Sequence, residues 1–127
     1  LITVGALMAT AERLPLVAEA TPMAETLLVM SQKGFGVAGV VDADGLLTGI
    51  VTDGDLRRHM GVLPQSRAAD VATRQPKTIA PGALAQEALK LMNERKITCL
   101  FVTRPGERRP LGILHVHDCL RAGIDEA

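Results

Sequence analysis

Aromatic side chains are the scarcest feature of this 127-residue sequence, which contains Phe35 and Phe101 but no Trp or Tyr. Its hydrophobic core must therefore be built from the aliphatic residues and Met that make up most of the 47% hydrophobic share. Proteins that bind single-stranded nucleic acid usually stack bases on aromatic rings. The 14 basic and 14 acidic residues also balance to zero net charge, so the chain as a whole has no excess of basic residues that would bind a polyanion. We expect no nucleic-acid partner.

Cysteines and long apolar runs are also few. Two cysteines, Cys99 and Cys119, are too few for a disulfide scaffold and are typical of a reducing compartment. No apolar run approaches the ~20 residues that span a bilayer, and no basic residues precede the apolar opening at residues 1–9, unlike in a secretory signal. We therefore expect a cytoplasmic protein with no membrane partner. The missing initiator Met predicts a piece cut from a longer chain.

Motifs of catalysis are absent from the sequence. There is no nucleophile elbow, no P-loop and no paired-cysteine motif. Both cysteines lie in apolar stretches, which indicates buried and unreactive thiols. The sequence thus predicts a binding protein without catalytic residues.

The sequence does contain an internal repeat. Residues 21–42 align with residues 83–104 at an offset of 62, and residues 49–55 align with residues 112–118 at an offset of 63. A one-residue insertion in the turn between the two blocks explains the change of offset. The pairs are Leu27 with Leu89, Met30 with Met92, Lys33 with Arg95, Val40 with Val102, Gly49 with Gly112, Ile50 with Ile113, and Asp55 with Asp118. We predict two halves, 1–62 and 63–127.

Each half has the hydrophobic pattern of a β-α-β-β-α unit. A unit of ~60 residues is marginal alone, so we expect an α/β fold in which the two repeats pack by pseudo-two-fold symmetry around a ligand-binding cleft. Thr21 is the expected N-cap of the first long helix, with Pro22 at its first position and Gly34 at its left-handed end. The predicted elements are strand 16–17, helix 22–33, strand 37–41, strand 46–51 and helix 55–60 in the first half, a connector at 61–67, and strand 78–79, helix 84–95, strand 99–103, strand 111–114 and helix 118–121 in the second.

The strongest site candidate is the segment 49–55, where a buried strand ends and a short helix begins. Converging backbone N–H groups and the helix dipole favour an anionic group there. Thr52 offers a hydroxyl for a phosphate, and the Asp55 carboxylate matches the two donors of a ribose diol. Arg57 and Arg58 (with the neighbouring His59) could neutralise phosphate. The competing interpretation is that Thr52 and Asp55 only cap the helix.

The equivalent segment of the second half carries His115, His117 and Asp118. On a strand end both imidazoles would point to one side, so a metal is conceivable. Zinc takes three or four ligands, however, and no further His or Cys has suitable spacing. Hydrogen bonding to an anionic ligand, or structural packing, is the favoured interpretation, and we expect no metal. Imidazole ligands would make binding pH-sensitive.

A third candidate is the segment Gly34, Phe35, Gly36 and Val37, which leads into a buried strand. Glycines there would let the backbone approach a ligand and read a base edge. The alternative is a helix C-cap followed by a turn, which explains Gly34 better than Gly36. Phe35 is more typical of a core residue than of a stacking platform.

The repeat resembles a tandem pair of CBS domains, the arrangement called a Bateman module, from about Val4 to Gly123. The segment GIVTDGD at 49–55 resembles the ribose-binding signature of that family, with Thr52 and Asp55 in its two key positions. In the second half His115 stands where the family has Ser or Thr, while Asp118 remains. The resemblance therefore implies nucleotide binding in the first half, and it does not extend to a second ordinary adenosine nucleotide.

The chain is also similar to the C-terminal region of arabinose 5-phosphate isomerases of the KpsF/GutQ type. The similarity lies in the segments KGFGVAGVVDADG, GIVTDGDLRRH, PKTI, LMNERKIT and HVHDCLRAG. Ala72 departs from the family, which has Met there in a Met-Thr pair. The resemblance implies an N-terminal sugar isomerase domain that interconverts ribulose 5-phosphate and arabinose 5-phosphate, in the Gram-negative pathway to Kdo and lipopolysaccharide. It implies that the present residues are not themselves catalytic.

Three hypotheses follow. The first is a regulatory module that needs no cofactor and binds CMP-Kdo, or an AMP- or ATP-type nucleotide, as a homodimer next to the isomerase domain. The second is a ligand-free module that dimerises the isomerase. The third, a histidine-dependent metalloenzyme, predicts bound metal after purification.

Overall fold

The computed structural model of the chain describes residues 1–126. Two short 3₁₀ turns, Ala11–Arg13 and Met60–Gln65, join regular elements. Both halves contain the predicted β-α-β-β-α order, so the α/β fold class is confirmed. The helices are α1 (Val4–Leu7), α2 (Met23–Lys33), α3 (Asp53–Arg58), α4 (Ala68–Val71), α5 (Ala85–Arg95) and α6 (Val116–Arg121), and the strands are β1 (Leu16–Ala18), β2 (Ala38–Val41), β3 (Leu47–Val51), β4 (Thr73–Arg74), β5 (Thr78–Ile79), β6 (Cys99–Val102) and β7 (Gly112–His115).

The chain forms two compact units. The central unit is residues 15–76, and the composite unit combines residues 1–14 with the chain from residue 77 onward. This division differs from that of the sequence repeats, because residues 1–14 belong with the second half and residues 63–76 with the first.

The central unit contains a four-stranded sheet in the order β1-β2-β3-β4. Strand β1 is parallel to β2, β2 and β3 form an antiparallel hairpin, and β4 is antiparallel to β3 with Thr73 opposite Ile50. Its core is aliphatic, as the composition predicts. The core residues are Val17, Met23, Met30, Ala38, Val40, Val51, Ala68 and Val71.

The composite unit contains a three-stranded sheet in the order β5-β6-β7, with β5 parallel to β6 and β6 antiparallel to β7. Ala9 forms an antiparallel bridge with Ile113 on β7. Because Ile113 corresponds to Ile50, Ala9 stands where Thr73 stands in the central unit. Its core residues are Val4, Ala85, Ala88, Leu89, Met92, Leu100, Val102, Leu114 and Cys119.

The long helix α2 begins one residue later than predicted. Pro22, with extended backbone, is its N-cap and makes no side-chain capping bond. The Thr21 hydroxyl instead accepts a hydrogen bond from the Ala18 N–H at 3.0 Å, which closes the turn before the helix. Gly34 ends the helix with φ of 81°, as predicted.

The short helices α3 and α6 begin at Asp53 and Val116, two residues earlier than predicted. The predicted connector at 61–67 is a 3₁₀ turn that leads into α4. Both cysteines are buried, as predicted. Between residues 1 and 126, the structure has no helix that combines the length and the apolar character needed to cross a bilayer.

Candidate functional site

The junction between β3 and α3 is built around a close approach of β4. Gly49 lies opposite Arg74, and a Cβ atom added to Gly49 would lie only 3.0 Å from the Thr73 carbonyl oxygen and 3.1 Å from the Ala72 Cβ. A side chain at position 49 would therefore push β4 away from β3. Glycine at this position of the sequence brings Thr73 to the start of α3.

Thr52 and Asp55 form a complete capping box at the start of α3. The Thr52 hydroxyl accepts a hydrogen bond from the Asp55 N–H at 3.4 Å, and Asp55 Oδ2 accepts one from the Thr52 N–H at 2.9 Å. Both residues thus cap the helix, whereas their predicted contact with a ligand stays a prediction. The capping box also means that two of the N–H groups expected to meet an anion are already used within the protein.

The Asp55 carboxylate is buried, with 1% of the residue exposed. Its Oδ2 atom accepts hydrogen bonds from the N–H and the hydroxyl of Thr52, both at 2.9 Å. Its Oδ1 atom accepts from the Thr73 hydroxyl at 2.6 Å and from the Arg58 guanidinium at 2.7 Å. A carboxylate has about four acceptor positions, so Asp55 is fully hydrogen-bonded inside the central unit.

These contacts decide the charge state of Asp55. Burial raises its pKa, but the hydrogen bonds from Thr73, Arg58 and Thr52 together outweigh burial and hold the pKa below its ordinary value of 3.8. The group is therefore an anion at neutral pH.

Thr73 is the site residue that the sequence reasoning did not identify. The only signal for it was the Met-Thr pair of the family, in which Ala72 replaces the Met and Thr73 is the Thr. Its hydroxyl reaches Asp55 across 18 positions of sequence, so only the pairing of β3 with β4 places it there.

The two arginines that were predicted to bind phosphate differ in their ion pairs. Arg58 is bonded to Asp55, although 63% of its side chain is exposed. Arg57 is exposed and forms no salt bridge with a residue of the described chain. His59 is held by a 2.8 Å contact between its Nδ1 atom and the Asp55 carbonyl oxygen.

The second half repeats this arrangement with fewer donors. Asp118 Oδ2 accepts from the His115 N–H at 2.9 Å, and its Oδ1 accepts from the Arg121 guanidinium at 2.6 Å. His117 lies in α6 and not on the end of the strand, so the prediction that both imidazoles share a strand end is wrong. The two rings nevertheless lie close together, 4.8 Å apart and edge to face.

His115 acts as the N-cap of α6 in place of a Ser or Thr. Its Nδ1 atom accepts a hydrogen bond from the His117 N–H at 3.0 Å, which requires the neutral imidazole. Burial, together with the charge of His117, lowers the pKa of His115, and the nearby Asp118 only partly opposes this. The imidazole is thus a neutral capping group.

Residues that could hold a metal do not gather within residues 1–126. No group of three or more His, Cys, Asp or Glu side chains lies together there. The expected absence of a metal stays a prediction, and metal analysis of the purified, untagged protein would test it.

The segment 34–37 is explained by backbone geometry and packing. Gly34 and Gly36 have φ of 81° and 73°, in the left-handed region that favours glycine. Phe35 and Val37 are both 6% exposed, so Phe35 is a core residue, as expected. None of the four supplies a hydrogen bond to Asp55, and their predicted contact with a ligand stays a prediction.

Two cavities lie within the separate units, and neither includes Asp55 or Asp118. One in the central unit, beside Gly49 and Ala72, has a volume of about 10 Å³, enough for one water. The other, in the composite unit, has a volume of about 310 Å³ and is lined by residues near the chain start and around Leu84 and Gly123.

Comparison with known protein families identifies the fold. The family model of the CBS domain matches the chain twice, over residues 4–62 and 68–125. The chain belongs to the CBS domain family. It is a CBS pair, as its motifs predicted, and the family makes it a regulatory module rather than a catalytic one.

Known relatives extend this assignment. The chain is 42% identical over 127 residues to arabinose 5-phosphate isomerase KdsD of Pseudomonas aeruginosa, which confirms the predicted resemblance. The alignment covers 98% of this chain but 39% of that protein, so the CBS pair spans about two fifths of the length of the isomerase.

Solved structures share the fold. CBSX2, a CBS-pair protein of Arabidopsis thaliana solved in complex with AMP, has a TM-score of 0.81 and 24% identity, with 96% of each chain covered. The cytosolic domain of the Mg²⁺ channel MgtE, solved in complex with ATP, has a TM-score of 0.78 and 24% identity, with 95% of this chain and 48% of that chain covered.

Proposed function

We propose that this CBS pair is the regulatory module of a cytoplasmic arabinose 5-phosphate isomerase and that it binds a nucleotide or nucleotide-sugar through Asp55 and Thr52. The module itself performs no chemistry. Ligand binding would adjust a sugar isomerase domain of the same chain, in the biosynthesis of Kdo and lipopolysaccharide.

The buried carboxylate of Asp55 is the observation that carries this proposal. It is ionised and 1% exposed, yet one of its four donors belongs to an arginine side chain that is 63% exposed. A ribose diol offers two hydroxyl donors and a nucleotide offers an anion for that arginine. The site can therefore exchange its own contacts for those of a ligand without leaving a charge unpaired.

The relatives support the class of ligand and the enzyme. CBS pairs of the same fold have been crystallised with AMP and with ATP. The similarity to the isomerase KdsD supports a sugar-phosphate isomerase as the whole protein.

Within that class, CMP-Kdo is the candidate that the pathway suggests, as an activated end product acting by feedback. Its ribose suits Asp55 and Thr52, and its phosphate suits Arg57 and Arg58. His115, His117 and Asp118 stay predicted contacts of a ligand bound to the second half. An AMP- or ATP-type nucleotide is the alternative ligand.

Isothermal titration of the 127-residue chain with CMP-Kdo, CMP, AMP and ATP tests the proposal. At a ligand concentration of ~100 times Kd, binding should raise the free energy of unfolding by ~2.7 kcal/mol. A 2′-deoxy nucleotide should bind more weakly than its ribose counterpart because it lacks the diol. Negligible heats of binding with all four ligands would contradict the proposed regulatory function.

The variant Asp55→Asn tests whether the Asp55 carboxylate binds the ligand. This variant should lose the thermal stabilisation that a nucleotide gives, whereas Asp53→Asn on the same helix should keep it, because Asp53 is exposed and is not one of the four donors to the Asp55 carboxylate. Equal stabilisation of both variants would place the ligand elsewhere.

A ligand-free assembly module is the second candidate function. Several large apolar side chains are exposed, which favours burial against a second copy: Leu28, Met60, Val62 and Leu120. An assembly module should sediment as a homodimer, and Asp55→Ala should keep that size while no nucleotide stabilises the chain.

A further inference from the structure

Arg58 occupies the same carboxylate that the proposed ligand needs. Asp55 receives four hydrogen bonds, from the Thr52 N–H, the Thr52 hydroxyl, the Thr73 hydroxyl and the Arg58 guanidinium. Since a carboxylate has about four acceptor positions, a diol hydroxyl finds none open. At least one of the protein's own donors must leave before a ribose binds.

Of these donors, Arg58 is the one that can leave. Thr52 is fixed as the N-cap of α3, and Thr73 is fixed by the pairing of β4 with β3. The Arg58 side chain is 63% exposed and lies in the last turn of α3. The guanidinium is largely in water and can be hydrated when it turns away, so a ligand can replace it.

We infer that Arg58 is a built-in competitor for Asp55, which makes the first-half site select phosphorylated ligands over nucleosides. This inference rests on the proposed function. A nucleotide places a diol hydroxyl on Asp55 and gives the released guanidinium a phosphate to pair with. A nucleoside supplies the hydroxyl but leaves Arg58 without an anion. One side chain thus blocks the empty site and pairs with the phosphate when the site is filled.

The second half provides an internal comparison. His115 replaces Thr52, and Ala9 stands where Thr73 stands, so both hydroxyl donors are missing. Within residues 1–126, Asp118 accepts from the His115 N–H and from Arg121 alone. About two acceptor positions stay open while Arg121 remains in place. Displacement of an arginine is therefore a requirement of the first half and not of the second.

Arg58→Gln tests the inference by calorimetry with two matched pairs of probes, AMP against adenosine and CMP against cytidine. The native chain should prefer each nucleotide over its nucleoside by on the order of tenfold or more. Arg58→Gln should bind the nucleosides roughly two- to fivefold more tightly, because the competitor is gone. It should bind the nucleotides more weakly, so the preference should fall below about threefold. Arg58→Lys, which keeps the charge, should retain part of the preference.

Arg95→Gln is the matched control, because Arg95 is also exposed in the last turn of a helix; it should leave every affinity unchanged. Arg58→Gln should unfold within a few degrees of the native chain, because Asp55 keeps three of its four hydrogen-bond donors. An unchanged preference in Arg58→Gln, or equal weakening for nucleotide and nucleoside, overturns the inference while the proposed function stands. If the native chain binds none of the four probes, this inference is overturned, whereas the proposed function is decided by the separate titrations with CMP-Kdo and ATP.

Discussion

A buried carboxylate persists only where its charge is compensated, and Asp55 meets that condition with donors from both ends of α3 and from β4. Thr52 is the N-cap of α3, Arg58 is the last residue of α3, and Thr73 is the first residue of β4. The residue is thus both a helix cap and a link between α3 and the edge of the sheet. A ligand that binds here would act on the packing of those elements.

Thr73→Val removes one donor from Asp55 while keeping the shape of the side chain. We expect the free energy of unfolding to fall by about 1 kcal/mol, because a buried acceptor loses its partner. Chemical denaturation measures this, with Thr10→Val as the control, since Thr10 is exposed and makes no side-chain capping bond. Equal effects of the two changes would show that the 2.6 Å contact of Thr73 contributes nothing.

The free energy of unfolding should fall in acid because Asp55 becomes protonated. Because its pKa is lowered in the folded state, Asp55 stabilises the fold above its unfolded pKa, and that contribution is lost as pH falls through the folded pKa. The stability difference between the native chain and Asp55→Asn should therefore be full at neutral pH and shrink below about pH 3.8. Urea unfolding at several pH values measures it. A difference that stays constant into acid would contradict the lowered pKa, and Asp53→Asn should show no such trend.

At the scale of elements, the two long helices end in the same way with different residues. Gly34 ends α2 with φ of 81°, and Lys96, its repeat partner, ends α5 with φ of 56°. A side chain in the left-handed region costs roughly 1 kcal/mol or more, and glycine avoids that cost. The second helix therefore carries local strain that the first does not.

Lys96→Gly should raise the free energy of unfolding by about 0.5–1 kcal/mol, because relief of the strain exceeds the entropy that glycine adds to the unfolded chain. Gly34→Ala should lower it by about 1 kcal/mol; no atom lies within 4 Å of the added Cβ, so only the backbone opposes the change. Thermal unfolding compares them with Gly61→Ala, which has neither strain nor close neighbours. A destabilised Lys96→Gly would show that the lysine side chain stabilises the end of α5.

At the scale of the whole molecule, each compact unit takes residues from both sequence repeats. Residues 1–14 complete the composite unit: the N–H groups of Val4 and Gly5 bond to the carbonyl groups of Ala83 and Pro81 at 2.8 and 2.9 Å. In the same way, α4 and β4 complete the central unit. Each unit therefore depends on a segment that belongs to the other repeat in sequence.

Two fragments of equal length test whether the sequence repeat or the compact unit is the part of the chain that folds. Fragment 1–62 is the first repeat, and fragment 15–76 is the central unit. Fragment 15–76 retains β4, α4 and the Thr73 contact with Asp55, so it should show more dispersed amide NMR signals and a more cooperative thermal transition. Fragment 1–62 lacks those elements and leaves residues 1–14 without their partners. Both will be marginal at this size. Greater order in fragment 1–62 would contradict the division into units.

By itself, the sequence determined the repeat, the β-α-β-β-α order, the family and the capping role of Asp55, because each depends on local periodicity or on residues a few positions apart. Helix starts were misplaced by one or two residues, since Pro22, Thr52 and His115 compete with their neighbours for the cap. The tertiary structure alone decided that Thr73 fills an acceptor position of Asp55, and that residues 1–14 belong with the second half. Those facts depend on strand pairings between distant parts of the chain, and no local pattern specifies such pairings.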